Sequence, residues 1–495
     1  SPFASLGLVL FEKYISGATL CSVATLFISF IILHQASELA CFIKNKVMRK
    51  NTQSSQSLNL ALIHPQAAGL DVGSMNMMVS YPGSEDIQTV KEYGAFTEDL
   101  HQMARDLQQA GVTHVGMEAT GVYWMAVYEI LERYGLVVTL VNARNYKNVD
   151  GQKTDVKDCQ WLQQLHAHGL LRASHIAEEQ YRQLRTYIHE RGILQKQKSD
   201  TINRIHRVLT QMNIKFQHVI SDIEGVTGMA VIEKIAQGET STEILLSGIN
   251  TGRLKTAREI LIKSLQGEFK PHYVTVLKNH LTALRFYKKQ MLEYEQIIEQ
   301  LLKQMLPKTE QNLLVKNKKT KARKNQYHFN LKEYLHKIAG VDLTAIDGLD
   351  ENTVLTIISV VGLNMHKWST ADHFTSWLNL AARPKKSGGK IIGYQKRFTN
   401  NPATQAFRMA AQTMWQNKGI LGHLYRRLSH TKGSKKAIKA VARRLAVIFY
   451  NMVQKQTAYD PKIVALDEEK IKQRKIERLK KDAEKLGCKI QILAA

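Results

Sequence analysis

The sequence predicts an α/β sheet domain followed by a mainly helical half. Three observations predict it: short apolar runs alternate with amphipathic stretches between residues 64 and 174, the strand signal then stops, and two long helical stripes follow. At 495 residues the chain is long enough to bury more than one core.

Taken in order, AAGLDVG, NMMVSYPG and VKEYGAF read as three strands, and TEDLHQMARDLQQAG as a helix that ends at Gly111. HVGMEAT is a fourth strand, GVYWMAVYEILERYG a helix, LVVTLVNA a fifth strand and DVKDCQWLQQLHAHG a closing helix. Three strands followed by alternating helices and strands fit a ribonuclease-H-like mixed sheet with helices on its faces, in which the first and fourth strands are neighbours.

Tyr181 to Met212 is then helical, with Leu184, Ile188, Ile202, Ile205, Leu209 and Met212 in one stripe and Arg182, Arg185, Lys196, Lys198, Arg204 and Arg207 over much of the rest. From Val274 to Leu306, Leu277, Leu281, Leu284, Tyr287, Met291, Tyr294, Ile298, Leu301 and Met305 alternate three- and four-residue steps. That is a heptad seam of about four repeats, and it serves an intramolecular hairpin as well as a coiled-coil dimer. SDIEGVTGMAVIEKIAQGE reads as a small helical insertion between these helices, and the basic run 316–324 as a solvated linker. The expected domains are therefore 64–174 (sheet), 175–306 (long helices and insertion), 307–330 (linker), 331–457 (helical) and 458–495 (charged helical tail).

Residues 1–63 form a leader outside this pattern. Ile15 to Leu33 is uncharged and long enough to span a bilayer, and Lys44, Lys46, Arg49 and Lys50 follow it. The first methionine is Met48, and the preferred reading takes it as the natural start, with 1–47 translated from upstream sequence; a membrane anchor is the alternative. Cys21, Cys41, Cys159 and Cys488 lie far apart with no CxxC pair. This excludes a zinc-finger or disulfide framework and suits a reducing, cytoplasmic location.

Charge points to the partner. Lys plus Arg number 69 against 43 Asp plus Glu, a formal net charge of +26. An excess of that size matches a polyanion, because each neutralised phosphate releases counterions.

Asp71 follows the first strand's apolar residues, Glu118 ends the fourth strand, and Asp155 and Asp158 open a helix at i and i+3, on one face. Each has an ordinary structural role available: a helix N-cap for Asp155, a first-turn acid for Asp158, a turn residue for Asp71. Four carboxylates falling at strand ends and a helix start of one domain point instead to a divalent cation, with Mg²⁺ suited to hard oxygen ligands. Downstream, HFTSWLNLAARPKKSGGKIIGYQKRF places Ser387 on a glycine turn among Arg383, Lys385, Lys386 and Lys390, cations able to hold a phosphate. Spacing alone favours a surface turn there, since no histidine or aspartate base is near in sequence.

Together these segments resemble the DEDD transposases of the IS110 insertion-sequence family, nearer its IS1111 subgroup. GLDVG, MEATGVYW and KTDVKD resemble the family's three acidic motifs; LSDIEGVTGMAVIEKIAQGE and HFTSWLNLAARPKKSGGK resemble its middle and C-terminal signatures. The resemblance implies a RuvC-like nuclease domain, a coiled-coil region and a C-terminal transposase domain. In it Asp71, Glu118, Asp155 and Asp158 would bind Mg²⁺. Ser387 would attack the phosphodiester to give a phosphoserine–DNA intermediate. It also implies element and target DNA as partners, a bridge RNA that pairs with both, and a homodimer or homotetramer. No small-molecule substrate is implied. IDGLDENTVLTIIS resembles a helix-hairpin-helix in which Asp350 stands where a second glycine is expected. The competing readings are a Holliday-junction resolvase with water as nucleophile and a non-catalytic nucleic-acid-binding protein.

Overall fold

The computed structural model describes residues 61–83, 88–142, 155–249, 256–307, 325–395, 400–461 and parts of 472–488. The leader up to residue 60, with Ile15–Leu33 and Met48, and the basic run 316–324 lie outside the described residues. Among those described, no helix is long and apolar enough to cross a membrane. The chain divides into two compact units after His175.

In the first unit, β1 (Ala67–Val72), β2 (Asn76–Pro82) and β3 (Gln88–Gly94) precede α1 (Thr97–Gln109), β4 (His114–Glu118), α2 (Trp124–Arg133), β5 (Val137–Val141) and α3 (Asp155–Ala167). The sheet order is β3-β2-β1-β4-β5. Strands β1, β2 and β3 pair antiparallel, while β1, β4 and β5 run parallel. This is the expected mixed sheet, with the first and fourth strands adjacent. Its centre is buried on both faces, and Ala67, Ala68, Leu70, Val115 and Met117 are fully enclosed. The edge strand β3 is exposed instead on both sides at Lys91 and Glu92 and buries only Tyr93. Helix α1 covers the sheet with Leu100, Met103, Ala104 and Leu107, one stripe at helical spacing.

Helix α3 lies directly on β1 and β4 because both strands carry glycine at the contact. Gly69 and Gly116 are register partners. A Cβ on Gly69 would sit 2.2 Å from the Cys159 carbonyl oxygen, and one on Gly116 would press on Leu171 and His166. The buried Ser80 hydroxyl donates to the Gln163 side chain across the same contact.

At the opposite end of these strands, three imidazoles gather. His64 stacks on His114 at 4.3 Å between ring centroids, and His166 lies 5.2 Å from His64 and 6.2 Å from His114. His166 is buried with no partner for its Nε2. Burial, and then its two neighbours, push its pKa down to about 4. A histidine depressed in the folded state is protonated first in the unfolded chain, so stability is lost as pH falls from the ordinary histidine value towards 4 and levels off below. The expected loss is on the order of 2–3 kcal/mol. Denaturant midpoints between pH 7 and pH 4 measure it, and His166→Gln should make that limb shallower; an equally steep limb in the variant would show that His166 does not cause it.

In the second unit, the long helices α4 (Glu179–Gln211) and α9 (Pro271–Gln304) pack along one another. The heptad seam of α9 thus has an intramolecular partner. Leu277, Leu281, Leu284, Met291 and Ile298 are buried on it, and Leu302 rather than Leu301 takes the last buried position. Helices α5 (Phe216–Val219), α6 (Val226–Ala236), α7 (Thr242–Leu246) and α8 (Arg258–Leu265) form the insertion, closing a small core around Leu209, Ile232, Leu261 and Leu277. Lys198, placed by periodicity on the polar face, is buried: its ammonium donates to the Asn325 side chain at 3.0 Å and lies 3.4 Å from Glu224. Beside it Arg191 pairs with Glu295 at 2.6 Å and stacks on Tyr327 at 4.0 Å, both ionic groups being enclosed. Buried charges persist only when paired and hydrogen-bonded, as these are.

The rest of the unit is α10 (Leu331–Ala339), α11 (Glu351–Val361), α12 (Ala371–Trp377), β6 (Pro384–Ser387), β7 (Lys390–Tyr394), α13 (Pro402–Thr413), α14 (Ile420–Lys432) and α15 (Ser434–Lys455). Its core is centred on Leu355, Phe374, Phe407, Phe449 and Tyr450. Asn330, Asp350, Thr370 and Asn401 cap four of these helices with their side chains. The β6–β7 hairpin corrects the expectation that strands end before residue 175. Of the charged tail, residues 472–473, 476–480 and 482–485 are helical.

Candidate active site

The parallel register of β1 and β4 pairs Leu70 with Met117. One residue further along lie Asp71 and Glu118, side by side at the carboxyl ends of neighbouring strands. Side chains two residues apart share a face. Gly69 and Gly116 face α3, so Asp71 and Glu118 face it as well. Asp155 and Asp158 stand in the first turn of that helix. Glu118 is buried at 6 % exposure, Asp71 and Asp158 are half-buried, and Asp155 is exposed.

Cys159 is the residue that sequence reasoning passed over. It follows Asp158 directly, is fully buried, and its thiol donates to the Val156 carbonyl at 3.1 Å. Burial, followed by the carboxylate of Asp71 and more weakly that of Asp158, pushes the thiol up to about 11. A thiol held protonated in this way is a packing group rather than a nucleophile or soft ligand. Its position after the second acid of DVKDC was the available signal.

Among the described residues, no group of three or more His, Cys, Asp or Glu side chains has the arrangement to hold a metal ion. The segment 143–154, which leads into Asp155, lies outside the described residues. The donor set fits a hard divalent cation in kind: carboxylates alone, their like charges directed at one end of a sheet.

Ser387 ends β6 and is the register partner of Lys390. The two intervening residues, Gly388 and Gly389, have φ of 52° and 77°, the conformation of a two-residue hairpin turn that glycine adopts without strain. The expected glycine turn is thus the tip of a β-ribbon. Ser387, Lys385, Lys386 and Lys390 are exposed on it. Arg383 differs from them: it is half-buried, and its guanidinium donates to the Ser376 hydroxyl at 2.9 Å, which ties the base of the ribbon to α12. Tyr394 pairs with Pro384 at that base, at the far end of the ribbon from Ser387.

The helix-hairpin-helix turn has a different fate. Gly348 adopts φ of 80°, as a tight turn requires, but Asp350 caps α11 by accepting the Thr353 amide at 2.8 Å. A carboxylate already occupies the amide that a backbone phosphate would use.

Residues 68–214 match a family described as Transposase, DEDD_Tnp_IS110, and this span holds Asp71, Glu118, Asp155 and Asp158. Residues 342–426 match the Transposase IS116/IS110/IS902 family, and this span holds Ser387 and the ribbon. No curated protein matches the chain. Over these two spans the chain is similar to the transposase domains of the IS110 family, whose members are DNA-processing enzymes.

Proposed function

We propose that this chain is a bridge-RNA-guided recombinase of the IS1111 subgroup, which cuts and rejoins DNA strands with Ser387 as nucleophile and Asp71, Glu118, Asp155 and Asp158 around Mg²⁺. The observation that carries the reading is the alignment of Asp71 and Glu118 at adjacent strand ends facing the first turn of α3, within a span of transposase sequence. When bound, the divalent ion would offset charge on the scissile phosphate. The chain's own groups do the rest. Lys390, opposite Ser387, and Lys385 and Lys386 hold the phosphate at the ribbon tip. Ser387 Oγ attacks phosphorus and releases its proton to water. The bond from phosphorus to the leaving deoxyribose oxygen breaks, and that oxygen takes up a proton. A hydroxyl of the incoming strand then attacks the phosphoserine, restores the serine and joins the new strand.

Asp71 and Ser387 belong to different units, and assembly as a homodimer or homotetramer lets acids of one subunit serve the serine of another. A cytoplasmic location follows from this role. A resolvase with the same acids and water as nucleophile is not favoured, because both matched spans belong to transposases.

The test is recovery of RNA from the purified protein, its sequencing, and strand exchange between donor and target duplexes with and without it. One structured RNA that pairs with both duplexes, and exchange that requires it, is the expected result; exchange at full rate without RNA overturns the guidance. Binding should also be steeply salt-dependent, weakening on the order of a thousandfold or more between 50 and 200 mM salt if about 6–10 phosphates are contacted. A flat profile in a filter-binding titration would separate the +26 charge from nucleic-acid binding.

A further inference from the structure

The β6–β7 ribbon exposes more apolar surface than its own stability explains. Ile391, Ile392 and Tyr394 are 55 %, 69 % and 61 % exposed. A two-stranded hairpin is marginally stable alone in water, so large apolar side chains left outside on one indicate a partner surface. The partner is anionic: PKKSGGKIIGY carries Lys385, Lys386 and Lys390 and no acidic residue. The strand bearing the isoleucines is also bulged. Lys386 pairs with Ile391 and Lys385 with Gly393, so Ile392 is the extra residue. A bulge of this kind re-aims a side chain out of the ladder.

We infer that this ribbon is a DNA-distorting arm, in which the lysines seat on the backbone of duplex DNA and Ile391 and Ile392 wedge between base pairs beside the phosphate presented to Ser387. It rests on the DNA-processing reading of the ribbon and adds to it a mechanical role. The groove dimensions favour DNA over RNA: the B-form major groove admits a two-stranded ribbon, whereas the deep, narrow A-form groove does not. Apolar side chains inserted at a base step unstack it and kink the duplex, a deformation that the added backbone contacts offset. Unstacking the scissile step frees its phosphate to meet a nucleophile at the tip of a ribbon, where an undistorted backbone would approach only the flanks.

The experiment uses the ribonucleoprotein as purified and duplexes spanning the element–flank junction, with 2-aminopurine placed at successive steps. Binding is expected to raise the fluorescence several-fold at one step, in the native protein and in Ser387→Ala alike. Ile391→Ala/Ile392→Ala should abolish that rise at saturating protein while the melting temperature stays unchanged, both side chains being exposed. Lys385→Ala/Lys386→Ala should weaken binding tenfold or more yet retain the rise at saturation. An undiminished rise in Ile391→Ala/Ile392→Ala, no rise in the native protein, or failure to bind the duplex overturns the wedge, as does a rise confined to 2-aminopurine placed in the RNA. The serine reading is scored apart from this, by the protein–DNA adduct on a denaturing gel. An adduct without brightening sinks the wedge alone, and brightening without an adduct sinks the nucleophile alone.

Discussion

Strand exchange by Asp71→Asn or Glu118→Gln is expected to fall on the order of a thousandfold, while the protein remains folded. The two acids end neighbouring parallel strands and face the same helix, where Asp155 and Asp158 add further negative charge. Neutralising one removes a ligand from the proposed ion and leaves the phosphate's charge less well offset. The fold should not suffer. Glu118 is buried, and its amide isostere keeps the same volume, so the packing around it should be retained. Asp106→Asn makes the informative contrast. That carboxylate lies on α1, where Lys91 and Tyr93 donate to it, and its pKa is held down by Lys91 first. Its loss should lower stability and leave catalysis intact. Near-normal recombination by Asp71→Asn in Mg²⁺ would refute the tetrad, whatever the melting curves show.

The second large effect belongs to Ser387. Ser387→Ala is expected to bind RNA and DNA as the native chain does and to form no covalent adduct. With labelled target DNA, the native enzyme should give a shifted, protease-sensitive band on a denaturing gel, and the variant none. Because Ser387 is an exposed residue beside a glycine turn, its replacement removes no packing. Any loss is therefore chemical rather than structural. An adduct that persists would move the nucleophile elsewhere, with Tyr394 at the base of the same ribbon the first to test. Mixing Asp71→Ala with Ser387→Ala protein adds a second measurement: recovered activity shows acids and serine meeting across subunits.

Local pattern was enough for the five strands and for α1 to α3, because their apolar periodicity agrees with the pairing that the sheet adopts. It was enough for the two long helices, where a stripe at three- and four-residue steps admits no strand. It missed the β6–β7 ribbon. PKKSGGKIIGY has neither the alternation nor the burial that marks a strand, and its pairing rests on two glycines with positive φ between residues that ordinary polarity assigns to a loop. It also placed Lys198 in solvent, since a helical stripe cannot announce that Asn325 and Glu224 will meet a lysine on its polar face.

The sequence by itself determined the order of strands and helices in the sheet domain, the acids at strand and helix ends, the serine among cations, and a charge suited to a polyanion. These depend on side-chain identity and on periods of two and 3.6 residues, which are local. Only the tertiary structure decided that Asp71 and Glu118 are neighbours facing α3, because that adjacency comes from strands 47 residues apart pairing through Gly69 and Gly116. Only it decided that the α9 seam meets α4 of its own chain, and that Ser387 stands at the tip of a ribbon whose isoleucines face outward. Long-range pairing and burial are set by the packing of the whole core, and no window of the sequence contains them.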